Sequence, residues 1–260
     1  MSSATIITAT PTRRNAAVRY SLAQDAAMIL MDDGSARVLD MAGRFYTLAP
    51  AGALMLQETL THGAAWAAGH VAEVHGEQLS RVQADLDRLL ADMTSRGILR
   101  QGDASARRPR LLSATRWASW VLTVVFGLMP WLKKRPTALL GLAKISFGLF
   151  GWTATLSAWR RHFPLRAPSP CDNPLDAAAA ARAIDEAVRN AAARQLLGVA
   201  CKERALCCWA LARAAGLPAT LVIGVELFPL AGHCWCEIGP WTVSDDRDSC
   251  KRYTPVLRYA

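Results

Sequence analysis

Residues 201–246, CKERALCCWALARAAGLPATLVIGVELFPLAGHCWCEIGPWTVSDD, decide how the rest of the chain is read. Cys201 follows Gly198 at the head of an uninterrupted helical run that closes at Gly216-Leu217-Pro218. In the first turn of a helix, free backbone N–H groups and the positive dipole end favour a thiolate. The same N–H groups can hold a tetrahedral oxyanion. Thr220–Leu227 is continuously apolar and β-branched, which predicts a buried strand. Gly232–Ile238 is a second strand, Gly239-Pro240 a turn, and Trp241–Asp245 a third strand. Alternation then puts His233, Trp235 and Glu237 on one face and Cys234, Cys236 and Ile238 on the other.

A cysteine, a histidine and an aspartate in that order are the parts of a thiol nucleophile with its base and orienter. The candidates are Cys201, His233 and Asp245, with Asp246 as the fallback acid. Cys207 and Cys208 fall deeper in the helix and read as small core residues. Gln195 could donate to an oxyanion, although a surface role is the simpler reading. No C-x-x-C pair exists, and Cys234 and Cys236 point away from His233. Neither a metal nor a cofactor is therefore expected.

The 260 residues suffice for two modest domains. Charge divides them: residues 1–103 hold nine Lys/Arg against eleven Asp/Glu, and residues 104–260 hold twenty-one against ten. All seven cysteines lie in the second half, and the first residues lack the apolar core of a secretory signal. Free thiols and a cytoplasmic location are expected.

The expected first domain covers 15–103. Ala26–Met31, Ala36–Asp40 and Gly43–Leu48 are strand-like, and helices follow over Ala51–Thr61, Ala64–Val74 and Glu77–Arg96. Gly97 suits the residue after the last helix. This half is slightly acidic, which argues against nucleic acid.

The second domain, 104–260, begins with the polar linker Ala104–Pro109. It contains an apolar helical hairpin over about 111–160, built from Trp117–Leu132 and Ile145–Trp159 around Lys133-Lys134-Arg135-Pro136. Both segments fall short of a spanning helix, so a buried hairpin is preferred over membrane association. The basic flanks keep membrane contact as the second reading. An alanine-rich helix starts at Asp172-Asn173-Pro174, with Leu175, Ala179, Ile184, Val188 and Leu196 near helical spacing and Gly198 as its end.

Two resemblances bear on these halves. Three strands followed by three helices, with GRFYTLAPAGALML at the junction and LLADMTSRGIL at the close, resemble the recognition element of ribosomally made peptides. That element is a winged helix of the pyrroloquinoline quinone chaperone (PqqD-like) type, and the resemblance implies that a leader peptide adds as a strand near Gly43–Leu48 and packs against the third helix, with Tyr46, Leu48, Val82 and Leu86 as groove candidates; ordinary core is the simpler reading of each. The second half, with C-x-x-R-A-L, G-L-P-A-T-L-V-I-G-V, H-C-W-C-E and a final D, resembles the lasso-peptide biosynthesis B protein. Lys202, Ala205, Cys234 and Cys236 depart from that pattern.

Together these resemblances imply an α+β chain that fuses a leader-recognition element to a papain- or transglutaminase-like cysteine peptidase. Such a chain would bind the precursor's leader and cleave the leader–core bond through Cys201, His233 and Asp245. The implied partner is an asparagine-synthetase-like macrolactam synthetase. A transglutaminase-like acyltransferase and a non-catalytic peptide-binding scaffold are the alternatives.

Overall fold

The computed structural model describes residues 5–7, 20–23, 25–41, 44–102, 108–165, 174–196, 198–227 and 229–260. The chain divides into two compact units, Met1–Leu111 and Leu112–Ala260. Both mix helix with antiparallel sheet, so the class is α+β.

In the first unit, β1 (Thr5–Ile7), β3 (Ala26–Leu30), β4 (Ala36–Asp40) and β5 (Arg44–Leu48) form one sheet in that order. β2 (Tyr20–Leu22) pairs separately with β6 (Leu99–Gln101). The pairings of β1 and β2 were not expected from their sequence, because three-residue strands carry too little alternation to register. The hairpin between β3 and β4 turns through Asp33, whose carboxylate accepts from the Ser35 N–H at 2.9 Å and its hydroxyl at 2.6 Å. Those bonds hold the Asp33 carboxyl below its ordinary range. Helices α1 (Pro50–His62), α2 (Ala64–His75) and α3 (Leu79–Ser95) follow. Gly97, at φ 75°, lets the chain leave α3 and return as β6.

Leu56, Ala67, Val71, Leu86 and Leu90 centre the core of this unit. Here the structure corrects the expected groove. Leu48, Val82 and Leu86 are 6%, 4% and 0% exposed and belong to that core. So small a domain needs its large apolar residues inside. Tyr46 stays partly exposed on the edge strand β5, with the Arg96 guanidinium 5.2 Å from its ring centre.

α4 (Arg108–Leu128), which belongs to the second unit from Leu112 onward, leads through a 3-10 turn (Pro130–Lys134) into α5 (Pro136–His162). The second apolar segment is therefore longer than Ile145–Trp159. Lys144 does not end it, because its ammonium reaches sideways to the Gly198 carbonyl. Gly151, at φ 73° and ψ −172°, breaks the helix within its length. The expected buried hairpin is half right. Leu139, Leu140, Ala143, Trp152 and Trp159 are buried, whereas Trp117, Trp120, Leu128, Ile145 and Leu149 are exposed. α5 alone is long and apolar enough to cross a membrane among the described residues, and half of its most apolar window is buried.

α6 (Pro174–Ala193) ends earlier than Gly198. It buries Ala178, Ala181, Val188 and Ala191, while Ala179 and Leu196 face solvent. With so much alanine the apolar stripe is ambiguous in the sequence. α7 (Cys201–Ala214) packs against α5, α6 and a sheet of order β10-β7-β8-β9. These strands are β7 (Ala219–Leu227), β8 (Leu230–Ile238), β9 (Trp241–Val243) and β10 (Thr254–Tyr259), with α8 (Arg247–Cys250) between the last two. All their pairings are antiparallel.

Candidate active site

Cys201 is the first residue of α7. Ala200 precedes it in extended backbone (φ −81°, ψ 167°), and the Cys201 side chain is half-buried. The approach to this turn is held on both sides. Glu203, 4% exposed, turns its carboxylate back to accept the Ala200 N–H, one half of a capping box. The Lys144 ammonium donates to the Gly198 carbonyl, and the Lys202 ammonium lies 5.3 Å from the Phe147 ring centre. Gln195 donates from Nε2 to the Thr137 carbonyl at 2.8 Å, so its amide is committed to the start of α5 rather than to an oxyanion.

His233 lies on β8, opposite Gly224 of β7. Its Nε2 is 3.0 Å from Oδ2 of Asp245, with the two side chains 14% and 22% exposed. That contact becomes an ion pair only when the ring is protonated. Burial pushes the imidazole below its ordinary range. The Asp245 carboxylate draws it up, and the Arg204 and Arg252 cations push it down. The balance favours the neutral ring, which is the state a general base needs.

Asp245 is placed by the way β9 ends. The strand stops at Val243, and Ser244 adopts φ 75°, a left-handed conformation uncommon for a residue with a side chain. Ser244 is 1% exposed; its N–H donates to Oδ1 of Asp185 on α6 at 2.7 Å, and its hydroxyl accepts from the Cys236 N–H at 3.3 Å. These bonds oppose the strain of the turn and swing Asp245 out of the strand. The Arg204 guanidinium, one turn beyond Cys201, then donates to Oδ2 of Asp245 at 3.2 Å. The Asp246 N–H donates to Oδ1 at 2.8 Å. Asp246 itself caps α8, accepting from the Ser249 N–H at 2.9 Å, which holds its carboxyl below the ordinary range. Asp245 is thus the acid beside His233, and Asp246 closes the next helix.

The other described thiols are buried, and Cys234 and Cys250 lie within electrostatic reach of Cys201. Cys207, Cys208, Cys234 and Cys236 are at most 5% exposed, and burial raises all four thiols far above the ordinary range. Cys250 is raised to about 11, again by burial first. Cys171 lies outside the described residues. Among the described residues no group of three or more His, Cys, Asp or Glu side chains could hold a metal ion.

Four contributors escaped the sequence reading. Tyr253 stacks on His233 with ring centres 4.9 Å apart, on the face where Trp235 lies 6.0 Å away. Arg204 stands in the C-x-x-R signature, and its helical spacing from Cys201 was the available signal. Asp185 and Ser244 left none, because one is a surface-like acid on an alanine helix and the other an ordinary strand-end serine.

Residues 147–258 match the family model described as the transglutaminase-like superfamily. No curated protein and no solved structure matches the chain. The matched stretch runs from α5 to β10 and includes Cys201, His233 and Asp245. Residues 147–258 are a transglutaminase-like domain, of a superfamily that includes cysteine peptidase and acyltransferase members.

Proposed function

We propose that this chain is a leader peptidase for a ribosomally made peptide precursor, of the fused lasso-peptide B type. The observation that carries the reading is the approach of His233 to Asp245 at 3.0 Å on the sheet against which α7, headed by Cys201, is packed. His233, kept neutral by burial, accepts the Cys201 thiol proton as the sulfur attacks the leader–core carbonyl. The tetrahedral oxyanion forms beside the first-turn N–H groups of α7, which have no partner within the helix. Asp245 stabilises the imidazolium so formed and orients the ring. Collapse breaks the C–N bond and yields a thioester, and His233 returns the proton to the departing amine. Water then attacks the thioester, His233 takes its proton, and the leader leaves as a carboxylate while the thiol is restored.

In the same proposal the first unit, as a PqqD-like recognition element, captures the leader. β5 lies at the open edge of its sheet, and its backbone can pair with an added strand. Tyr46 is the one expected contact that stays partly exposed there, since Leu48, Val82 and Leu86 are buried in the core. Fusion to the peptidase raises the effective leader concentration, to about millimolar for a short linker. The freed core amine would pass to an asparagine-synthetase-like macrolactam synthetase.

The test is mass analysis of precursor peptide incubated with the chain. Release of the leader with a free carboxylate, abolished by Cys201→Ala, supports peptidase action. A thioester resolved only by an added amine assigns an acyltransferase instead. Cleavage that survives Cys201→Ala removes the catalytic assignment and leaves a binding scaffold.

A further inference from the structure

The helical hairpin ahead of the candidate active site carries a second surface that the chemistry of that site does not use. On α4, Trp117, Trp120, Val124 and Leu128 recur at helical spacing and are 61%, 60%, 39% and 74% exposed. Met129 and Trp131 extend this stripe through the 3-10 turn, and Ile145 and Leu149 continue it along α5. A groove of about 660 Å³ joins the two helices, lined by Val125, Trp131, Leu132, Ala138, Leu142 and Ile145. An apolar face of this extent on a water-soluble surface needs a partner.

Charge identifies it. From 104 to 171 the sequence holds eleven Lys/Arg and not one Asp or Glu. Lys134 and Arg135 are exposed at the tip of the hairpin beside Trp131, and Arg116 is exposed beside Trp117. A protein interface is ordinarily depleted in lysine, which stands exposed here as Lys134. Tryptophan and leucine bordered by unopposed cations match an anionic lipid surface, where indole rings sit at headgroup level. Crossing the bilayer is excluded by packing, because the opposite face of α5 is buried against α6 and α7.

We propose that the α4–α5 hairpin is an interfacial anchor that lays this face on an anionic phospholipid membrane. Lys133 stiffens the tip: its ammonium lies 5.1 Å from the Phe126 ring centre and 5.8 Å from that of Phe163, and donates to the His162 carbonyl at 3.4 Å. Trp131 is thereby presented on a braced turn.

The experiment is flotation of the full chain with phosphatidylcholine vesicles, with and without phosphatidylglycerol. The chain is expected to float with the anionic vesicles alone and to be released by salt, as screening dictates. Each cation near such a surface is worth about fivefold in partitioning, so Lys134→Gln with Arg135→Gln weakens binding roughly 25-fold. The triple change Trp117→Ser, Trp120→Ser and Trp131→Ser abolishes flotation while the Tm and the alkylation of Cys201 stay at wild-type values. Absence of flotation with anionic vesicles overturns the proposal, as does binding indifferent to both sets of substitutions. A dimer in sedimentation analysis that the tryptophan changes dissociate, without vesicle binding, assigns the face to a second copy of the chain.

Discussion

Replacing Gly224 by alanine tests the packing that holds the candidate histidine. Gly224 sits opposite His233 in the β7–β8 register. A Cβ built there comes within 2.7 Å of two atoms of the Trp235 ring and 2.8 Å of the Tyr253 Cβ. Carbon atoms pack at roughly 3.5–4.0 Å, so the methyl is wedged from two sides at once. Trp235 cannot swing away, being 3% exposed and tied through its indole N–H to Oε1 of Glu237 at 3.0 Å. Overpacking of this kind costs about 1–3 kcal/mol, which in a unit of this size lowers Tm by roughly 2–12 °C. Because both displaced rings lie against His233, the imidazole moves with them, and the pH profile of Cys201 alkylation, read by peptide mass mapping, shifts with the Tm. The contrasting variant is Gly69→Ala in α2, where the added Cβ meets nothing within 4 Å; it should gain about 0.5–1 kcal/mol from lower helix entropy cost. A Gly224→Ala chain with wild-type Tm and an unmoved alkylation profile would falsify the account of this packing.

Further expectations concern charge and capping. Arg204→Gln removes a cation that pushes the His233 pKa down, so the imidazole titration followed by NMR should move up; Asp245→Asn removes the carboxylate that draws it up and should move it down. His233 and His162 both have native pKa values lowered mainly by burial, so the unfolded chain binds protons that the native chain refuses. Stability is then whole above the unfolded value of about 6.5 and falls as pH drops from there toward each lowered native value; the drop in Tm over that window should shrink in His162→Gln. Asp246→Ala deletes the cap accepting from the Ser249 N–H and should lower the Tm, while the His233 titration stays in place because Asp245 is the facing acid.

What could be read from the sequence was whatever had a period. Alternation put His233 and Trp235 together and turned Cys234 and Cys236 inward, and both cysteines are buried on the far face. The start of α7 at Cys201 followed from the break at Gly198 and the unbroken run behind it. Contacts brought in from distant segments could not be read. Tyr253 reaches His233 because the chain after Asp245 turns through α8 and returns as β10 along β7. α5 was cut short because an interior lysine looks like a helix end until its ammonium is seen at the Gly198 carbonyl. Whether Leu48, Val82 and Leu86 line a groove or fill the core could not be read for a related reason: periodicity gives a face but not whether that face is covered. Leu86 on the apolar stripe of α3 turned out to be wholly inside.

Arg204 gives the site its electrostatic logic. It lies one turn along α7 from Cys201 and donates to the same Asp245 oxygen that His233 approaches. Were Asp245 compensated only by histidine, its charge would favour a protonated ring, and an imidazolium cannot accept the proton of a thiol. Burial lowers the imidazole pKa first, and Arg204 beside the carboxylate adds to it against the pull of Asp245, so the ring stays neutral. Asp245 retains enough charge to favour the imidazolium once a thiol proton arrives. The arginine also ties the nucleophile's helix to the acid's loop, while Asp185 holds that loop from the other side through the Ser244 N–H. Loss of Arg204 therefore has two separable signatures. Arg204→Lys keeps the positive charge but loses the planar fork, so it should leave the His233 titration near its native position and impair the placement of Asp245. Arg204→Gln should change both. If the two variants titrate alike, with neither displaced from wild type, charge compensation by Arg204 is not what keeps His233 neutral, and burial alone suffices.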